Sequence, residues 1–461
     1  MALGVLTRTF PPSLVDRVVA DTGRAQQRHR LLPARLVVYY VLAMTLFSQA
    51  SYEEVMRSLV EGLAWESGWR RRWSVPTKSA IFQARARLGP EPLEALFRAA
   101  CVPLATGETP GAFYRGWRLM AIDGTTLDVA DTEENAVAFG RPGSGRGSGE
   151  GAFPQLRMVA LAECATHAIC AAAMGPYATG EATLAKTLTS AVGKGMLVLA
   201  DRGFTAHPLF SAFAGTGAEL VWRAKANASL PVLSRHGDGS FRSEIVASSD
   251  KRSRESVIPV RVVEYAVGDP GRPQAEDTTY RLITTVLEPD AAPAEELGAL
   301  YCERWEFETM LDELKTHERG PKMVLRSKTP DGVRQEAYGY LCTHYAIRAL
   351  MGAVADHGDV DPDRVSFTRS LRAARRSVRA GIGTSALALT VALRMAIAEI
   401  RRELLPERRP RAAARVVKRK MSAYGVKRAL HRAWPRPTLP VGRGVRVLIP
   451  PSLNGIAASP V

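Results

Sequence analysis

The period of hydrophobic and polar positions changes several times along this 461-residue chain. From 1 to 105 the apolar residues recur at helical spacing. The pattern is clearest over Leu32 to Phe47 and Tyr52 to Leu63, with Ser51 placed to cap the second helix. AIFQARARLG predicts a further helix ending at Gly89-Pro90, and Arg70, Arg71 and Arg72 stand ahead of it. Two helices about a basic turn suit a helix-turn-helix reader of DNA, and equally a packed bundle with solvated arginines. From 116 the texture becomes strand-like. GWRLMAID is a short apolar run ending in Asp123, and Leu156 to Cys164 and Ala168 to Met174 read as a hairpin about Ala165-Thr166-His167. A helix follows Gly180, MLVLA is a buried strand ending at Asp201, Pro208 to Phe213 is helical, and AELVWRAKA is a strand. Three strands, a helix, a strand, a helix and a strand predict an α/β sheet with covering helices. Residues 227–290 hold short β-type runs between polar loops, a β-rich insertion. A long helix is expected from Pro293 to about Lys315, another over 330–356, and very basic helices over 364–436. The organisation is thus a helical DNA-binding region 1–105, a core in two parts (106–226 and 291–356) split by the insertion, and a basic helical region 357–461.

Composition narrows the class. Apolar residues at 46% and charged residues at 23% describe a globular chain and exclude disordered, collagen-like or disulfide-scaffold proteins. Sixty-two Lys/Arg against 46 Asp/Glu give a net charge of +16, which favours a polyanionic partner, nucleic acid first. The excess is uneven: 401–436 holds thirteen Lys/Arg and two acids, a local balance of +11. Such a segment predicts salt-sensitive, sequence-blind affinity for DNA backbone. Arg369, Arg372, Arg376 and Arg379 recur at helical spacing on one face. The Gly-rich stretch Gly140 to Gly151 carries Arg141 and Arg146 and lacks a phosphate-loop motif. Five scattered cysteines without a CxxC pair point away from zinc and disulfides. No leader pattern opens the chain and no apolar run reaches the roughly twenty residues of a membrane span, so a cytoplasmic location and no membrane partner are expected.

Three acids carry the candidate chemistry. Asp123 and Asp201 each close an apolar strand, where reacting groups are rigidly held and exposed. Taken singly, each Asp-containing turn reads as an ordinary turn. The third element, LYCERWEFETMLDELKTH, is more specific. At about 100° per residue, Tyr301, Arg304, Glu308 and Lys315 fall within an arc of about 60° on one helical face. That face combines a carboxylate for a metal with two cations and a phenol for phosphate. Glu306 points about 160° from Glu308 and reads as solvated or structural, while Asp312, about 40° away, is a rival ligand. An exposed helix laced by the Arg304–Glu308 pair is the alternative. His167, His207, His317 and His344 form no metal-ligand spacing, and Cys302 has no evident base partner.

Tyr301, Arg304, Glu308 and Lys315 have the Y-(2)-R-(3)-E-(6)-K spacing, and Trp305 follows the arginine. With IDGTTLDVADTEEN, LADRGF and AFGRPGSGRGSGEGAFPQLRMVAL, the sequence resembles a DDE transposase of the insertion-sequence-four family over roughly residues 5–350. The resemblance implies a ribonuclease H-like α/β core interrupted by a β-rich insertion, and flanked by helical regions. It implies that Asp123, Asp201 and Glu308 bind two Mg²⁺, with Mn²⁺ as substitute. It further implies that Tyr301, Arg304 and Lys315 hold phosphate, and that Trp305 contacts nucleotides near the cleaved end. The activity implied is cleavage of double-stranded DNA at element ends and strand transfer into target DNA, by a homodimer in a synaptic complex within the nucleoid. A related metal-dependent nuclease and a transposase-derived DNA-binding protein without catalysis are the alternatives.

Overall fold

A computed structural model describes residues 4–26, 32–63, 75–143, 151–247, 256–268, 278–320, 324–379, 386–406, 416–417, 425–426, 428–429 and 444–448. Packing divides the chain differently from its linear segments. One unit comprises Met1–Ala112, Asp123–Ala191 and Glu306–Pro406, and the other Phe113–Ile122, Val192–Trp305 and Glu407–Val461.

The first unit joins the N-terminal helices to the last part of the core. These are α1 (Val5–Thr9), α2 (Pro12–Asp21), α3 (Ala34–Leu46), α4 (Tyr52–Leu63), α5 (Lys78–Leu88) and α6 (Glu91–Ala100). Apart from Arg35, every residue of α3 is buried, because VVYYVLAMTL offers apolar or small residues in all directions. Its principal partner is the 29-residue helix running from Pro330 to Gly358. At that crossing a Cβ on Gly339 would lie 3.0 Å from Thr45 Cγ2 and 3.1 Å from Val41 Cγ1, so glycine permits the approach. Ser51 caps α4, its hydroxyl accepting from Glu54 N at 3.1 Å, and Thr77 caps α5 by accepting from Ala80 N at 3.3 Å. On α5, Arg85 is buried and donates to Gln335 Oε1, Ser327 Oγ and the Gly332 carbonyl at 3.1, 2.9 and 3.0 Å. This arginine of the expected DNA reader therefore belongs to the core. Arg70, Arg71 and Arg72 lie outside the described residues.

The division between the units falls within one strand, after Ile122. Strands β1 (Phe113–Tyr114), β2 (Trp117–Asp128), β3 (Gln155–Glu163), β4 (Ile169–Pro176), β5 (Met196–Ala200), β6 (Glu219–Arg223), β7 (Ser234–Arg235), β8 (Phe241–Val246), β9 (Val257–Val267) and β10 (Thr278–Thr284) follow in chain order. The first unit holds β4-β3 and the second half of β2, with helices α7 (Glu133–Phe139) and α8 (Glu181–Lys186) between the strands. β3 and β4 are antiparallel, Leu156 facing Pro176, about the expected turn. The second unit holds the order β2-β5-β6-β10-β9-β8-β7. β2, β5 and β6 run parallel, while β10 joins β6 antiparallel, so the insertion extends the sheet rather than standing apart. α9 (His207–Ala214) covers β6, where Phe210 and Phe213 meet the buried Trp222 ring edge-on at 5.1 and 5.4 Å. Val445–Val447 pairs with the end of β9 beyond the stretch paired to β8.

Three expectations are corrected. β2 does not end at Asp123 but continues to Asp128, because GTTLD keeps an extended, β-branched pattern. The helix expected from Pro293 to Lys315 is broken into α10 (Ala294–Leu300), a 3₁₀ turn (Tyr301–Arg304), α11 (Trp305–Asp312) and a π-helical segment (Glu313–Glu318). The long helix Pro330–Gly358 (α12) is followed by α13 (Phe367–Arg379) and α14 (Ala386–Arg401), but the helical expectation to 436 fails. α14 ends at Arg401, and Val416–Val417 pairs in parallel with Gly425–Val426; most of 407–436 lies outside the described residues.

Candidate active site

β2 and β5 pair in parallel from Arg118↔Met196 to Ile122↔Ala200, and in each case the next residue in the sequence is an acid, Asp123 within β2 and Asp201 just past β5. Both carboxylates are half-buried. Each is aimed by the adjacent backbone: Asp123 Oδ1 accepts from Gly124 N at 2.8 Å, and Asp201 Oδ1 from Gly203 N at 2.7 Å. In the first unit a Cβ on Gly124 would lie 2.5 Å from Glu181 Cδ and 2.6 Å from its Oε1. Glycine after Asp123 thus lets a further carboxylate, at the start of α8, lean against the strand. Sequence reasoning missed Glu181, which has no spacing signal of its own.

The YREK residues divide between the units. In the second unit, the buried Tyr301 donates its hydroxyl to the Ala200 carbonyl at 3.2 Å. The phenol therefore supports the peptide that leads into Asp201, and reaches a phosphate only by leaving that bond. Burial pushes its pKa far up, with neighbouring Arg304 and Arg223 opposing and Asp201 adding to the rise. The Arg304 guanidinium lies 5.9 Å from the Tyr301 ring centre, and Trp305 is half-buried.

In the first unit Glu308 is half-buried on α11, and Lys315 sits in the π segment. Lys315 Nζ donates to Thr125 Oγ1 at 2.9 Å. Thr125 is two residues past Asp123, hence on the same face of β2. Lys315 is thereby fastened to the strand face that carries Asp123. Burial and then Arg319 lower its pKa, while Asp128 opposes them. Asp312, the rival ligand, is exposed and lies 3.5 Å from His317 Nε2. The uniform helical arithmetic behind the single YREK face fails across the 3₁₀ and π segments. The Lys315–Thr125 bond is an observation independent of it.

Glu306 is structural, as expected: its Oε2 is 3.0 Å from His167 Nε2. Around it the first unit contains a buried network of His167, Glu306, Glu313, His344, Arg348 and Asp363. Among the described residues, one set of three His, Cys, Asp or Glu side chains has its ligand atoms within 4.8 Å of one another. That set is His167, Glu306 and Asp363. The spacing of the histidines gives no sign that Glu306 and Asp363 lie beside His167, because no local spacing links them to it. Cys302 is half-buried, its thiol pushed up to about 12 mainly by burial, which disfavours a nucleophile.

The basic elements are partly committed to internal partners. Arg376 pairs with Glu399 and Arg369 with Glu403, leaving Arg372 exposed on the same helix. Arg141 pairs with Asp131 and donates to the Ala152 carbonyl at 2.8 Å, closing the base of the Gly-rich loop. Arg146 and most of 401–436 lie outside the described residues. Among those described, no helix is long and apolar enough to cross a membrane.

Comparison with known proteins gives a consistent result. The family model "Transposase DDE domain" matches residues 115–345, and "Insertion element 4 transposase N-terminal" matches residues 1–98. The chain is 28% identical over 432 residues to the transposase InsG for insertion sequence element IS4 of Escherichia coli (strain K12), covering 93% of this chain and 92% of that protein. Among solved structures, a piggyBac transposase synaptic complex with hairpin DNA matches with a TM-score of 0.44 and 13% identity, covering 88% of this chain and 86% of that one.

Proposed function

We propose, from the premise that the chain belongs to the insertion-sequence-four family of DDE transposases, that Asp123, Asp201 and Glu308 are its metal-binding catalytic acids. The protein is a DNA transposase with a ribonuclease H-like core, a metal-dependent DNA-cleaving enzyme. The observation that carries the assignment is the β2–β5 pairing, which stops at Ile122↔Ala200 immediately before the two aspartates.

The donor set suits Mg²⁺, with Mn²⁺ as substitute: all ligands are carboxylate oxygens, and the two aspartates are pre-aimed by backbone N–H groups. A bound pair of Mg²⁺ ions would supply activation of the attacking oxygen and stabilisation of the leaving oxygen. The chain's own residues do the rest. Lys315, fastened to Thr125, offers a fixed cation beside Asp123 for a phosphate oxygen. Arg304 offers a second cation beside Tyr301. Tyr301 holds the Ala200 peptide and so orients Asp201. Trp305 would stack on nucleotides beside the cleaved end. The overall charge of +16 draws the protein to DNA in the nucleoid, and two protomers would join the two element ends in a synaptic complex.

The test is a purified-protein assay on duplexes bearing the ends of the element that encodes it. Mg²⁺-dependent 3′-end cleavage followed by joining to a target plasmid is the expected result. Cleavage without any joined product would make the protein a nuclease, and end binding without cleavage would make it a transposase-derived binder.

A further inference from the structure

We propose, resting on the assignment of Asp123 as a metal ligand, that Glu181 is a fourth carboxylate of the cleavage site. It is a positioning residue, which holds a water of the ion bound at Asp123. Both acids belong to the first unit.

The backbone brings the two together. Gly124 follows Asp123, and Glu181 occupies the space that a side chain there would fill. A Cβ on Gly124 would stand 2.5 Å from Glu181 Cδ and 2.6 Å from its Oε1. The Gly124 N–H is also the donor to Asp123 Oδ1, at 2.8 Å. With ordinary bond lengths, these contacts put the Glu181 carboxyl carbon within about 8 Å of that oxygen. An ion about 2.1 Å from Asp123, a water about 2.1 Å from the ion and a hydrogen bond of about 2.7 Å span up to about 7 Å between carboxylate oxygens. One bound water therefore closes the gap. Side chains alternate along β2, so Glu181 reaches Gly124 from the face opposite Thr125 and Lys315. Past Ile122 the strand no longer pairs with β5, and the two faces meet at the edge where Asp123 stands.

The charge of Glu181 is available to such a ligand. Among the described residues it has no hydrogen-bond or ion-pair partner, although it is half-buried. Other acids of the same segment are committed: Asp128 accepts from Gln155 at 2.8 Å, and Asp131 pairs with Arg141. Lys315, the cation fastened to β2, donates to Thr125. An acid in the first turn of α8 also favours the helix itself, but that benefit asks nothing of residue 124. Affinity for a hard divalent ion rises with the number of carboxylates around it. A carboxylate behind the water thus helps to load Asp123 before any phosphate arrives.

The experiment uses full-length, metal-stripped protein without DNA, and Mn²⁺ as the probe, its free fraction read by electron paramagnetic resonance. Cleavage of an element-end duplex is titrated with Mg²⁺ in parallel. Glu181→Gln should weaken Mn²⁺ binding about tenfold and raise the Mg²⁺ needed for half-maximal cleavage by a similar factor. Cleavage by that variant should recover as Mg²⁺ saturates. Gly124→Ala keeps the N–H that aims Asp123 but fills the space, displacing the flexible end of Glu181, and should act in the same direction. Added to Glu181→Gln, it should cost nothing further. Asp123→Asn should weaken Mn²⁺ binding more than either. Mn²⁺ binding by Glu181→Gln equal to that of wild type overturns the proposal and leaves residue 181 as a helix-start acid. If Asp123→Asn still loses the ion in that case, the assignment of Asp123 stands. Asp123→Asn binding Mn²⁺ as wild type does overturns that assignment, and the role of Glu181 with it.

Discussion

The network around Arg348 and the backbone around Asp123, within β2, and Asp201, just past β5, treat carboxylates in opposite ways. Burial alone would raise the Glu313 carboxyl, but Arg348 and His167 beside it hold it well below the ordinary range. It is packed among Arg348, His167 and His344, so its charge serves the protein's own architecture. Asp123 and Asp201 remain half-buried, and each is oriented by a backbone N–H one or two residues further on. Aiming by the local backbone fixes the direction of each carboxylate before any ligand arrives. Glu306 and Glu308, two residues apart on α11, show both treatments within one helix: Glu306 bonds to buried His167, and Glu308 is the proposed ligand.

The sharpest way to break this contrast is at the proposed ligands. Asp123→Asn, Asp201→Asn and Glu308→Gln should each lower DNA cleavage by about a thousandfold or more while leaving end binding in a mobility-shift assay nearly unchanged. Normal cleavage by Glu308→Gln, with loss in Asp312→Asn, would move the third ligand to Asp312. On the buried side, Arg348→Met should destabilise the protein by about 3–5 kcal/mol, because it strands the Glu313 charge. Denaturant unfolding measures this, and adding Glu313→Gln should recover part of the loss; a single-variant loss below about 1 kcal/mol would mean that Arg348 does not hold the network.

Glu318 sharpens the comparison through pH. Burial, opposed by its bond to Thr343 and by Arg375 and Arg319, raises its pKa from 4.5 to about 8. A carboxyl raised on folding contributes most stability below its unfolded pKa. That contribution falls as pH rises from 4.5 to about 8, and the loss is complete above that value. Within this window the wild type should lose about 1.4 kcal/mol per pH unit relative to Glu318→Gln, measured by denaturation at pH 6 and 7. The smallest effect belongs to the surface. The exposed Arg376–Glu399 pair should show a coupling under about 1 kcal/mol in a double-mutant cycle, weakening further in salt.

Legibility in the sequence tracks the reach of each signal. The hairpin about His167, the strand MLVLA and the capped helices α4 and α5 depend on residues a few positions apart, and period and cap chemistry expose them. The true length of β2 was hidden because Asp123-Gly124 resembles a turn while its partner strand, not its own geometry, ends there. The breaks at Tyr301–Arg304 and Glu313–Glu318 were invisible because they answer to tertiary demands. Tyr301 reaches Ala200, and Lys315 reaches Thr125, across 101 and 190 residues. The network of His167 with Glu306, Glu313 and Arg348 spans separations of 139 to 181 residues, which no single-chain spacing rule detects.

The π segment has a consequence for how this chain can vary. In an ordinary α-helix residues five apart point about 140° from each other, so Glu313 and Glu318 would not both turn inward. The wider i→i+5 coil brings both into the interior, and sets Lys315 against Thr125. Deleting one residue between those glutamates would leave the two four apart, about 40° from each other on an ordinary α-helix, so both would still turn inward, and the π coil is the means by which this helix absorbs one extra residue.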